Sequence, residues 1–280
     1  MKTLLMAAFL GTAAVCAVAV RPACGQETVW ERVHGQNARM TARQPAWMGP
    51  LIQSDCRLAQ AVRISVSRAS APGEQILSYG NNHGISFIGG TRWQVDLNPP
   101  AFFRNHSAAF PDGWGNASTQ VKYRVASGNA EQGNFAVTAI VAEGFAPRAH
   151  QNDALTSYSV PKLAAGKAWG PFNLQSTLGG WLPSGRIEQQ GRAIEWNVTG
   201  QVRARSRTWF DIEENAAFNF GGPVDGKTQN FLTPAGFFLV RENGWGFRHP
   251  AAVIDGGLQI ATSRFYLYNH NLITELRILF

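Results

Sequence analysis

Asn271-Leu-Ile-Thr-Glu-Leu-Arg-Ile-Leu-Phe280 ends the chain, and its residues alternate in character one by one. In an extended strand successive side chains point to opposite faces. Leu272, Thr274, Leu276, Ile278 and Phe280 therefore share one face, while Asn271, Glu275 and Arg277 share the other. One face suits hydrocarbon and the other suits water. A sheet built of such strands has to close on itself if its apolar face is to meet lipid, because an open edge leaves backbone groups unpaired.

The same rhythm recurs upstream. Ile194, Trp196, Val198, Gly200 and Val202 oppose Glu195, Asn197, Thr199, Gln201 and Arg203. Val121, Tyr123 and Val125 oppose Gln120, Lys122 and Arg124; Trp93, Val95 and Leu97 oppose Arg92, Gln94 and Asp96; Phe172, Leu174 and Leu178 oppose Asn173, Gln175 and Thr177. Three stretches are less regular: 134–145 is apolar on both faces, 228–241 carries Phe231, Phe237 and Phe238 on opposite sides, and 208–220 sets Glu214 in the apolar phase. A bulge that shifts the phase, or a place near a rim, would accommodate Glu214. Strands are expected at 51–67, 84–89, 91–98, 117–127, 134–145, 155–166, 170–183, 192–204, 207–219, 228–241, 250–262 and 269–280. The fold class is all-β, an antiparallel transmembrane β-barrel of about 12 strands, with 10 as the fallback because 84–89 is the weakest.

The other end of the chain is consistent with export to such a site. Met1-Lys2, an uncharged run from Leu4 to Val20 and the small-x-small site Ala23-Cys24-Gly25 describe a cleaved signal peptide over 1–25, with cleavage after Ala19 as the alternative. Residues 26–50 then form a polar periplasmic N-terminal segment, or a plug inside the bore, ahead of a barrel over 51–280. With both termini periplasmic, the two longest connections, Arg68 to His83 and Pro99 to Asn116, fall outside the cell. The aromatic residue Phe280 at the end of the last strand is the expected assembly signal for the barrel-assembly machinery, and outer-membrane lipid is the surrounding partner. Trp93, Trp169, Trp181, Trp196, Trp209 and Trp245 lie near strand ends, where an aromatic girdle belongs.

Of three cysteines, Cys16 leaves with the signal and Cys24 with it if cleavage follows Gly25, whereas cleavage after Ala19 would leave Cys24 able to bridge to Cys56; Cys56 otherwise reads as a small apolar residue. The formal charge of +7 falls to +5 without Lys2 and Arg21, and the remaining basic residues are spread over the strands, which argues against nucleic acid. No metal-binding spacing is present and no cofactor is expected.

Strand phase sends Lys122, Arg124, Glu195, Arg203, Asp211, Glu213, Asp255, Glu275 and Arg277 to the lumen. Opposed charges there can orient polar solutes in an open bore or pair and close it. The loop from Pro99 to Gly115 is rich in aromatic residues, and Phe102, Phe103, Phe110 and Trp114 are candidates for capturing a hydrophobic ligand or for packing on the rim. A barrel-type lipid hydrolase would need a serine, a histidine and an acid at the outer rim. The histidines are His34, His83, His106, His150, His249 and His270, and only the adjacency of His106 and Ser107 suggests one. A soluble exported sandwich shares the alternation but uses shorter strands.

The stretch Gly166-Lys-Ala-Trp-Gly-Pro-Phe-Asn-Leu-Gln-Ser-Thr-Leu-Gly179, with Ile194-Glu-Trp-Asn-Val-Thr199, Asp225-Gly-Lys-Thr-Gln-Asn-Phe-Leu-Thr-Pro234 and Tyr268-Asn-His-Asn271, resembles the outer-membrane transporters grouped with the MetA pathway of phenol degradation. The resemblance spans roughly residues 50–280. It implies a bacterial outer-membrane barrel acting as a channel or transporter for passive uptake of small solutes, aromatic or hydrophobic ones included. It transfers no catalytic residue, so the chain is expected not to be an enzyme.

Overall fold

The computed structural model describes residues 35, 37–71, 74–80, 83–105, 111–146, 154–241 and 251–280. The signal peptide expected over 1–25, Phe110, Trp245 and four histidines (His34, His106, His150 and His249) lie outside the described residues.

Twelve antiparallel strands form one closed ring. They are β1 (Ala61–Ala71), β2 in two pieces (Glu74–Tyr79 and Gly84–Ile88), β3 in two pieces (Trp93–Asn98 and Phe102–Asn105), β4 (Gly113–Trp114 continuing as Ala117–Gly128), β5 (Phe135–Phe145), β6 (Tyr158–Trp169), β7 (Phe172–Pro183), β8 (Arg192–Arg205), β9 (Thr208–Phe220), β10 (Thr228–Arg241), β11 (Ala251–Ala261) and β12 (His270–Leu279). The last strand closes on the first in an unbroken register from Ala61 against Leu279 to Ser70 against His270. Both ends of this wall therefore lie at one rim, called here the terminal rim.

Period-two sorting accounts for the wall residue by residue. Ile64, Leu174, Leu178, Ile194, Phe210, Ile212, Ile254 and Leu272 are exposed, whereas Gln94, Lys122, Asn173, Gln175, Thr199, Gln201, Glu213, Asp255 and Arg277 are buried. That is the inverse of a water-soluble domain and the arrangement that hydrocarbon outside and polar groups inside require. Ile212 sits in the outward row of β9 and is 56% exposed, so Ile212→Arg should cost about 2–4 kcal/mol if it lies near the membrane midplane. The expected readout is a lower urea midpoint for the folded, heat-modifiable band in liposomes, and an unchanged midpoint would contradict an outward lipid-facing position.

Several sequence expectations are corrected. The first strand begins at Ala61, not at 51, because residues 51–60 leave the wall. The two long outer connections are partly strand: Glu74–Tyr79 pairs with β1 and with Phe102–Asn105, which pairs in turn with Gly113–Trp114. Pro99 and Pro100, which lack backbone donors, mark the break in β3. Glu214 stays in the outward phase with no register shift around it, and its carboxylate accepts a hydrogen bond from Asn230 Nδ2 at 3.0 Å. Trp209 points inward and is buried, with the Arg203 guanidinium over its ring, so it does not belong to an outer girdle. Phe280 leaves the apolar face as well: it follows the last strand residue and is 2% exposed. The turn between β6 and β7 tightens to Gly170-Pro171, where Gly170 takes a φ of +58° and Trp169 faces Phe172.

Candidate functional site

The bore is occupied by the chain's own residues 37–60. A short helical stretch at 37–41 leads into an irregular segment that meets inward side chains on every strand from β2 round to β12. Only the interior of the ring allows that. Its apolar residues settle into three patches: Met40 and Leu58 against Ile88; Trp47 and Cys56 against Ala136, Ile140 and Ala164; Met48 and Leu51 against Trp209, Ala235, Phe237, Val253 and Ile273. Two wall glycines make room. A Cβ at Gly166 would stand 2.9 Å from Cys56 Sγ, and one at Gly257 would stand 2.9 Å from Leu51 Cδ2.

Two charged side chains, one on β9 and one on β12, grip the segment by its backbone. Glu213 on β9 accepts the amide hydrogens of Leu51, Ile52 and Gln53 at 2.5 to 3.1 Å, a run of successive N–H groups that forms an anion-binding concavity. Arg277 on β12 donates Nη1 to Gly49 O and Nη2 to Pro50 O, each at 2.8 Å. Its Nε lies 2.7 Å from both Asp255 and Glu275, so the guanidinium is held from behind by two carboxylates. One backbone group of each of five consecutive residues, two carbonyls and three amides, is thus satisfied by one cation and one anion. Gln44 closes the loop at its base by pairing reciprocally with Leu58, at 2.7 and 3.0 Å.

Further contacts fix the rest. Ala59 N donates to Gln94 Oε1, Gln53 Nε2 to Thr199 Oγ1, Met48 N to Gln201 Oε1 and Thr138 Oγ1 to Cys56 O. Cys56 is 1% exposed, and burial with the adjacent Asp55 charge pushes its thiol up, which makes it unreactive while the segment is seated.

Most of the sequence-derived charge set falls on this interior. Lys122 donates to Asp55 O at 3.2 Å and lies 4.0 Å from Asp96; Arg124 donates to Met40 O at 3.0 Å and to Thr91 O. Asp211 is buried two residues from Glu213 on the same inward face, in register with Gln201. Glu195 is half-buried and ion-paired with Lys162 at 3.1 Å. Arg203 stands apart: it is exposed at the terminal rim and donates to Ser206 O. Of the aromatic candidates, Phe102 and Phe103 are strand residues at the far rim, and Phe102 meets the exposed Trp114 edge-on at 5.2 Å. Phe280 accepts from Asn37 Nδ2 at 2.8 Å through its carbonyl. Sequence reasoning missed the partners Gln175, Thr199, Gln201, Thr138, Gly166 and Gly257, because neutral polar or small inward residues carry no signal until something fills the bore.

Beside the segment runs a cavity of about 630 Å³, lined among others by Asp55, Arg57, Ser86, Asp96, Gln120 and Lys122. Its charges are largely matched, with Arg57 2.8 Å from Asp55. Of the described histidines, His83 bonds the Gly80 carbonyl and His270 is exposed at the start of β12. Among the described residues no group of three or more histidines, cysteines or carboxylates is arranged to hold a metal.

No protein-family model and no curated protein matches this chain. Among solved structures, an outer membrane channel from Pseudomonas putida F1 superposes with a TM-score of 0.53 at 13% identity, covering 84% of this chain and 100% of that one. OmpT, an outer membrane protein of Vibrio cholerae, aligns over 82% of this chain and 99% of its own at 7% identity and a TM-score of 0.33. The former likeness shows the fold, that of an outer-membrane β-barrel.

Proposed function

We propose that this protein is an outer-membrane channel for passive uptake of small solutes, gated by its own residues 44–58. The observation that carries this reading is the grip of Glu213 and Arg277 on residues 49–53 beside a cavity of about 630 Å³ with a mixed polar and apolar lining. A barrel that served only as a scaffold has no need of a solute-sized space lined in part by charged and amide side chains, and a segment that joins the wall through side chains and backbone bonds, with no strand pairing, can leave it without opening the sheet. Twelve strands enclose a bore between the side-chain-filled interior of an eight-stranded barrel and the open channel of a large porin. A removable segment is one way to make such a bore conditional.

The resemblance of 166–179 and its companions to the phenol-degradation transporters supports an uptake role and keeps aromatic solutes within its range, with Phe102, Phe103 and Trp114 at the outer mouth as their point of first contact. In this reading Phe280 serves the assembly machinery, the chain is exported by a cleaved signal peptide, and no catalytic step is involved.

The test is conductance in planar bilayers. Refolded wild-type protein should give small or rare openings, and a variant with residues 45–57 replaced by a short Gly-Ser linker should give steps several-fold larger. Silence from both folded proteins would make this a closed barrel and reject the channel.

A further inference from the structure

Toward the far rim, beyond the grip, the lining of β8 to β11 changes character. Asn197 and Asn215 lie opposite each other, with Asn215 Nδ2 donating to Asn197 Oδ1 at 3.1 Å. Gln259 Nε2 reaches Asn215 Oδ1 at 3.5 Å, and Gln259 Oε1 accepts the Tyr268 hydroxyl at 2.6 Å. The Tyr268 ring stacks on Phe231 with centroids 4.8 Å apart and planes 21° apart. Phe231 is in register with Asn215, which puts the aromatic pair beside the amide row. Thr233, next inward on the same strand, is fully buried, and its hydroxyl has no partner among the described residues.

None of these groups is charged. Lys162 and Glu195, charged residues of the neighbouring strands, are paired with each other at 3.1 Å. A row of primary amides offers donors and acceptors in equal measure, which suits vicinal hydroxyls and gives an ion no net field. An aromatic face beside it suits the C–H faces of a ring. Several weak neutral positions in series are also what passage requires, since a single tight one would hold the solute.

We infer that Asn197, Asn215, Gln259 and Tyr268, with Phe231 and Thr233, form a subsite for uncharged, hydroxyl-rich solutes such as monosaccharides. This rests on the channel reading above and names its solute class.

The test uses liposomes carrying the Gly-Ser-linker variant, swollen in isosmotic glucose, gluconate or glucosamine, three molecules of similar size and different charge. Glucose should enter at least several-fold faster than either ion. Gln259→Ala and Asn215→Ala, checked for the folded heat-modifiable band, should reduce glucose entry several-fold relative to entry of gluconate and glucosamine. Equal rates for all three solutes, or alanine variants that admit glucose at the parent rate, would overturn the subsite while leaving a channel. No swelling in any solute, together with no KCl conductance, would overturn the channel reading and the subsite with it.

Discussion

Arg277→Ala is expected to unseat the segment from the bore, raising the labelling rate of Cys56 by maleimide in the folded barrel about a hundredfold or more. The guanidinium satisfies Gly49 O and Pro50 O and is itself the counterion of Asp255 and Glu275. Removing one member of a buried charge group costs about 3–5 kcal/mol, because the remaining charges are left without compensation. Each 1.4 kcal/mol is tenfold in an equilibrium. Here the loss falls on the seated state more than on the barrel, since two buried carboxylates can regain water once the segment moves aside. Cys56 reports this directly, being 1% exposed in the seated state. Arg277→Lys should fall between, because a lysine keeps the charge but cannot fork to two carbonyls. A labelling rate unchanged in Arg277→Ala, with the barrel's heat-modified mobility intact, would show that this grip does not hold the segment.

Glu213→Gln should act in the same direction with a smaller effect, about 2–3 kcal/mol on seating, from the loss of charge-assisted bonds to Leu51, Ile52 and Gln53. A glutamine keeps the volume but offers one acceptor oxygen and turns an NH₂ toward amide hydrogens. Conductance and Cys56 labelling should rise together. The double variant with Arg277→Ala should cost less than the two single effects combined, because both side chains hold the same short stretch of backbone. Strict additivity would mean that the segment leaves in separate pieces.

The barrel was readable because lipid outside and polar groups inside impose a period of two that propensity cannot imitate. Residues 193–201 and 270–277 show it most clearly, with Arg203 exposed at the rim and Ile273 an apolar member of the inward row as the departures, and both strands lie where their alternation put them. The occupied bore was not readable in the same way, yet it left traces. Residues 134–145 were apolar on both faces because Ala136 and Ile140 meet Trp47 and Cys56. The phenylalanines of 228–241 faced opposite ways because Phe237 packs on Met48 and Leu51 while Phe238 faces outward. Trp209 broke the expected girdle for the same reason. Irregular inward apolar residues were the imprint of a filling that strand periodicity alone does not encode. The segment's own path, set by backbone bonds to Glu213 and Arg277, has no pattern in the local sequence at all.

Phe280 brings out what the meeting of the two ends entails. Its amide donates to Gln60 O at 3.2 Å and its carbonyl accepts from Asn37, so the residue that follows β12 is fastened to both ends of the described segment inside the ring. Fastening at this point and closure of the wall are therefore expected to be one event: Asn37 and Gln60 come to the seam as β12 closes on β1, and Phe280 locks them there, leaving only the stretch between them free to move.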